Sequence, residues 1–122
     1  MSEPQRDQGF EQGFLARAVE MAQRLTGIPA FSYPARVRRR MADGHLEHGN
    51  TWHQKDCGAE AVQEPPDTTA WLMFEIQRQR ALELSDETTI AQAELNFLAA
   101  SAYAAVSDYY AQLGVRQLRG EE

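Results

Sequence analysis

The chain has 122 residues, of which 43% are hydrophobic and 25% charged, enough for one domain with one core. Its net charge of −6 and pI near 5.0 argue against a general nucleic-acid or anionic-membrane binder, which needs a basic surface. Cys57 is the only cysteine, so no intrachain disulfide can form.

The N-terminal MSEPQRDQ is polar and has no basic region followed by an apolar stretch, so no signal peptide is expected. No apolar run approaches the roughly 20 residues of a membrane span, and a cytoplasmic protein is expected. A first helix is predicted over about Gln8 to Thr26, with Phe14, Ala18, Met21, Ala22 and Leu25 at helical spacing. Gly27 suits the left-handed position just past its end, and Pro29 stops the chain from continuing it.

Pro34 suits the first turn of a short second helix, predicted to end before Gly44. Arg36, Arg38, Arg39 and Arg40 surround its apolar edge of Val37 and Met41. Arg guanidinium forks match phosphate oxygens, but Arg36 and Arg40 share a face while Arg38 and Arg39 point elsewhere. A single ligand would not meet all four, and a solvated face paired with the excess acid of the chain is the favoured reading. Residues 44–56, punctuated by Gly44 and Gly49-Asn50, read as a loop. His45, His48, His53 and Cys57 gather there, and either bind zinc or are ordinary loop residues; their spacing matches no standard finger.

Residues 60–67 read EAVQEPPD. On one continuous helix, steps of four and three would place Glu60, Glu64 and Asp67 on a single face. Such carboxylates suit Mg²⁺, which prefers oxygen ligands and keeps waters or substrate phosphates in its other positions. They also suit a helix start, where acids favour the macrodipole or cap the first turn. Pro65 and Pro66 interrupt the run: a helix from Gln54 or Asp56 should end near Glu64, and a new one should begin at the prolines and reach Leu84. In that second helix Trp71, Phe74, Arg78 and Leu82 form one stripe, with Leu72, Ile76 and Gln79 beside it.

Ser85 or Asp86 caps a last long helix, predicted to end at Leu113 with Gly114 as its terminator. Ala91, Leu95, Leu98, Ala102, Ala105, Val106, Tyr109 and Leu113 follow a near-heptad pattern that fits a bundle core or a dimer seam. Trp71, Met73, Phe74, Tyr103, Tyr109 and Tyr110 read as core or seam. No alternating strand is found. The predicted fold is a single all-α domain over 1–122, a bundle of four to five helices, with frayed ends at 1–8 and 115–122. It is expected to oligomerise through residues 86–113. No nucleophilic triad, P-loop or dinucleotide fingerprint is present.

The stretch from Arg36 to Arg80 resembles small phage and bacterial proteins of the MazG-like, all-α nucleotide pyrophosphohydrolase type. Those have a short basic helix, a loop reading tyrosine-glycine-(asparagine or aspartate)-x-tryptophan, an acidic helix with glutamate, glutamate and aspartate at steps of four and three, and an aromatic-rich helix. Here His48-Gly49-Asn50-Thr51-Trp52 takes the loop's place, Glu60, Glu64 and Asp67 the acidic positions, and Trp71 the aromatic one. The resemblance implies Mg²⁺-dependent hydrolysis of a nucleoside triphosphate, ribo or deoxy, to monophosphate and pyrophosphate, usually in dimers or tetramers. Glu60, Glu64 and Asp67 would hold the metal and carry catalysis, Arg36, Arg40 and Lys55 would meet phosphates, and Trp52 would stack on the base.

Three departures stand against the pattern. Gln63 replaces a second glutamate, and the prolines replace helix formers, so a break between Glu64 and Asp67 is expected. No second acidic pair is evident: Glu75 and Glu94 are candidates by helix position, or solvated face residues. The alternative reading is a non-catalytic helical interaction protein, for example a phage protein that binds and inhibits a host factor.

Overall fold

The computed structural model describes residues 4–121. Among them the chain is all-α, with no strand: four long helices, one short helix and a single 3-10 turn. It divides into two compact units, Met1–Lys55 and Asp56–Glu122.

In the first unit α1 spans Gln8–Thr26 and α2 spans Tyr33–His48. Asp7 caps α1 by accepting from the Phe10 N–H at 3.0 Å. Gly27 closes it at φ 74°, its N–H donating to the Gln23 carbonyl at 2.8 Å. Leu15 is the buried side chain of α1, and α1 and α2 contact each other. The 3-10 turn at Trp52–Gln54 follows α2.

The second unit holds α3 (Cys57–Ala61), α4 (Glu64–Ala81) and α5 (Glu87–Leu118). α4 and α5 form an antiparallel pair joined by a short reversal, and α3 packs against the far end of α5. On α4 the half-buried positions Pro65, Thr69, Leu72, Ile76 and Gln79 recur at steps of four and three; on α5 the buried Ile90 and the half-buried Glu94, Phe97, Ser101, Ala104, Asp108, Ala111 and Val115 do the same. This is the heptad spacing of two helices packed side by side. Ile90, only 3% exposed, is the best buried side chain of the pair. A Cβ added at Gly58 would lie 3.1 Å from Val115 Cγ2, so α3 meets α5 where it has no side chain.

Three predicted boundaries move. α2 runs through Gly44 to His48, and α5 runs through Gly114 to Leu118. A glycine inside a helix costs only about 1 kcal/mol and need not end it. The real terminators are Gly49 and Gly120, both at φ 71°. At α5 the Gly120 N–H donates to Gln117 and the Glu121 N–H to Arg116, the paired bonds of a Schellman close. Of the ends predicted to fray, residues 115–118 are helical, while 1–3 and 122 lie outside the described residues.

The third shift concerns the prolines. The chain breaks at Val62–Gln63, and Glu64 opens α4 with Pro65 and Pro66 inside its first turn. Pro65 and Pro66 lack the N–H groups that would bond the carbonyls of Ala61 and Val62, four residues back, and their rings crowd those same carbonyls. In the first turn of a new helix those donors are not needed. The break therefore falls ahead of Glu64 rather than between Glu64 and Asp67.

Candidate functional site

Moving the break regroups the acidic residues. Glu64 and Asp67 sit together in the first turn of α4, at the i, i+3 spacing that puts Cβ atoms about 5–6 Å apart. Trp71 lies one turn further along the same face, 70% exposed, with its ring centroid 6.0 Å from that of Phe74 in a T-shaped contact. This face points away from the Leu72–Ile76–Gln79 seam that packs on α5. The result is an exposed carboxylate pair beside an exposed aromatic pair.

Glu60 belongs to α3, on the other side of the break. Glu60, Glu64 and Asp67 are all exposed. Among the described residues, no group of three or more His, Cys, Asp or Glu side chains is placed to hold a metal ion. The expected trio is thus a pair plus one: two oxygen donors of the type Mg²⁺ takes, on one helix turn, with the third on a separate helix.

Arg36 and Arg40 lie on α2, exposed and four residues apart on a common face. Trp52 opens the 3-10 turn and Lys55 ends it. These four belong to the first unit, and the acids to the second. The expected loop holding the histidines is largely helical: His45 and His48 fall in the last turn of α2, and His53 lies in the 3-10 turn with its ring 5.5 Å from that of Trp52. His53 Nε2 is buried with no hydrogen-bond partner. Cys57, exposed, is the first residue of α3.

Glu75 and Glu94, the candidates for a second acidic pair, are engaged elsewhere. Arg78 donates to both carboxylate oxygens of Glu75, at 2.8 and 3.0 Å, and Gln79 donates to one of them at 2.8 Å. The hydrogen bond from Arg78, then that from Gln79, holds the Glu75 carboxyl at about 2. Gln79 also accepts from the Ser85 hydroxyl at 2.8 Å, which ties the end of α4 to the reversal. Glu94 lies 3.7 Å from Arg80, which also reaches Glu87 at 3.4 Å. Both acids therefore serve the α4–α5 hairpin.

An open groove of about 190 Å³ lies beside this network, lined in part by Ile76, Gln79, Ile90 and Phe97. Ligand pockets start near 300 Å³, so it is too small for a nucleotide. The outer face of Glu64, Asp67 and Trp71 is the better candidate, and the sequence points to it through residue type and spacing. What the spacing misses is the position of the break. No family model, curated protein or solved structure matches this chain.

Proposed function

We propose that this protein is a MazG-like nucleoside triphosphate pyrophosphohydrolase or a degenerate relative of one. Its working acids would be Glu64 and Asp67, with Glu60 on α3 as the third acid that the resemblance assigns to the metal. The observation that carries the reading is the placement of Glu64 and Asp67 on one turn of α4 next to Trp71. Bound Mg²⁺ would supply charge neutralisation to a triphosphate. On the resemblance, Arg36, Arg40 and Lys55 would meet phosphate oxygens and Trp52 would stack on the base. The same acids also satisfy a plain structural role, since carboxylates in a first helical turn favour the macrodipole.

The test is pyrophosphate release from a panel of NTPs and dNTPs with Mg²⁺, together with calorimetry for Mg²⁺ and nucleotide. Turnover that disappears in Glu64→Gln and in Asp67→Asn supports the reading. No turnover on any substrate, with no binding of metal or nucleotide, overturns it.

A second reading is a non-catalytic helical interaction protein, possessing the scaffold without the chemistry. It is supported by the separation of Glu60 from the other two acids and by Gln63 in place of an acid. An intact apolar surface on α5 alongside a silent acid pair is its signature. Isolation of a stoichiometric complex with one purified partner, combined with the absence of Mg²⁺ binding, would establish it.

A further inference from the structure

The net charge of −6 is unevenly divided. The first unit carries eight basic and six acidic residues, the second four and twelve. From Met21 to Ala42 there are five arginines and no acid. Elsewhere Arg6, Arg24, Arg78, Arg80 and Arg119 each pair with a carboxylate. Arg36, Arg38, Arg39 and Arg40 are exposed, and among the described residues none of them pairs with an acid. The expected pairing with the excess acid of the chain is therefore not what α2 shows. Half-buried Pro34, Val37, Met41 and Gly44 mark its packed side. Arg36 neighbours Arg39 at i+3 and Arg40 at i+4, and Tyr33 precedes Arg36 by three. With about 100° of rotation per residue, Tyr33, Arg36, Arg39 and Arg40 fall within about a third of the helix circumference, and Arg38 alone stands on the other flank. Tyr33 is 53% exposed and Phe31, just before the helix, 70%. The same face turns acidic beyond Arg40, at Asp43 and Glu47.

We infer that the start of α2 is a docking patch for a short stretch of single-stranded nucleic acid. Arg36, Arg39 and Arg40 meet phosphates of the strand, and Phe31 and Tyr33 stack on its bases. Three observations favour this occupant. Adjacent guanidiniums without a counter-charge repel one another and are relieved by an anion, and their forks match phosphate oxygens. Exposed aromatic rings beside them offer faces on which unpaired bases stack. The patch is narrow. Tyr33 to Arg40 spans about 10 Å of helix, and Asp43 and Glu47 bound it. An anionic bilayer or the phosphates of a duplex, lying along the helix, would press on those two acids. A single strand crossing the first two turns avoids them. Three arginines make a local site rather than the basic surface of a general binder, so the footprint is a few nucleotides and the affinity modest. The patch shares Arg36 and Arg40 with the nucleotide reading, but it needs neither Mg²⁺ nor Glu64 and Asp67.

The experiment is fluorescence anisotropy of the full chain with labelled oligothymidylate and oligouridylate of about ten nucleotides, in EDTA, across a salt series. Binding should be micromolar at low salt, and log K should fall against log[salt] with a slope of about −2, the value for three phosphates of a single strand. Arg39→Gln should weaken binding several-fold and reduce that slope by about 0.7, whereas Arg38→Gln should leave the slope unchanged. Phe31→Ala and Tyr33→Ala should each weaken binding roughly tenfold with no change in slope. Circular dichroism checks that each variant keeps its helix. Glu64→Gln should bind the strand as the unaltered chain does, so loss of pyrophosphohydrolase activity and loss of strand binding are separate results. No binding at about 100 μM protein, well into the range of non-specific affinities, overturns the inference. So does an equal loss in Arg38→Gln and Arg39→Gln, which marks diffuse charge, and so does tighter binding to duplex of the same length or to phosphatidylserine vesicles.

Discussion

Arg119 Nη2 donates to Asp56 Oδ2 at 2.9 Å, joining residues 63 positions apart. The other carboxylate oxygen of Asp56 accepts from the Ala59 N–H at 3.0 Å and caps α3. One side chain thus starts the five-residue helix and ties it to the end of the longest one. The two contributions separate by mutation. Both side chains are at least half exposed (62% and 51%), so the ion pair contributes little and is screened by salt. The cap contributes about 1 kcal/mol. Asp56→Ala should therefore lower stability by about 1 kcal/mol with weak dependence on salt. Asp56→Asn should recover most of it, and Arg119→Ala should cost less than about 0.5 kcal/mol and only at low salt. Urea unfolding at two ionic strengths checks all three.

The reversal between α4 and α5 is built on Glu83 at φ 53°, the one non-glycine residue with positive φ among those described. The Leu84 N–H donates to Gln79 and the Glu83 N–H to Arg80, which is the Schellman pattern that α5 completes with Gly120. An L side chain in that conformation costs about 1–2 kcal/mol, and glycine removes the cost at some expense in unfolded-chain entropy. Glu83→Gly should raise the urea midpoint, by a net of roughly 0.5–1 kcal/mol in stability. Glu83→Val, β-branched, should lower it.

These two sites show what was legible in the sequence. The all-α class and the start of α5 at the Asp86 cap follow from local rules, because caps and periodicity act over one or two turns. The N-cap bond from the Thr89 N–H to Asp86, 2.7 Å long, is such a local device. The helix ends were less legible, because Gly44 and Gly114 satisfy the same stop rule as Gly49 and Gly120. Only the backbone bonds distinguish a glycine that closes a helix from one tolerated within it. The packing seam of α5 was not legible at all. The strongest stripe in the sequence, through Leu95, Leu98 and Val106, faces outward, and the seam that packs on α4 mixes Phe97 with Ser101, Ala104 and Asp108. Tertiary partners, not the apolar count, decide which stripe is used first.

Glu75 gives a pH signature. Its carboxyl is held at about 2 against an ordinary value of 4.5, chiefly by the hydrogen bond from Arg78 and then by that from Gln79. A depressed folded-state value means that the unfolded chain takes up the proton first on acidification. The contribution is fully present above about pH 4.5 and is lost as pH falls toward 2. Wild-type stability should therefore drop through this window more steeply than that of Glu75→Gln, which lacks the titrating group and retains the Gln79 contact in part. Thermal unfolding at intervals between pH 5 and 2.5 measures the difference in slope, and parallel curves would count against the Glu75–Arg78 pairing.

The prolines offer the most direct probe of the acidic segment. Replacing Pro65 and Pro66 by alanine restores two N–H donors, which can bond the carbonyls of Ala61 and Val62 and fuse α3 to α4. On the fused helix Glu60 stands four residues before Glu64 and seven before Asp67, so all three carboxylates share one face. The double variant should gain helical circular dichroism and bind Mg²⁺ several-fold more tightly by calorimetry, because a third oxygen donor joins the existing pair. The gain in affinity should vanish when Glu60→Gln is added, while the gain in helix remains. A double variant that gains helix but no Mg²⁺ affinity would instead mark the carboxylates as first-turn acids serving the macrodipole, and Pro65 and Pro66 as the residues that hold α3 at its own angle against Val115.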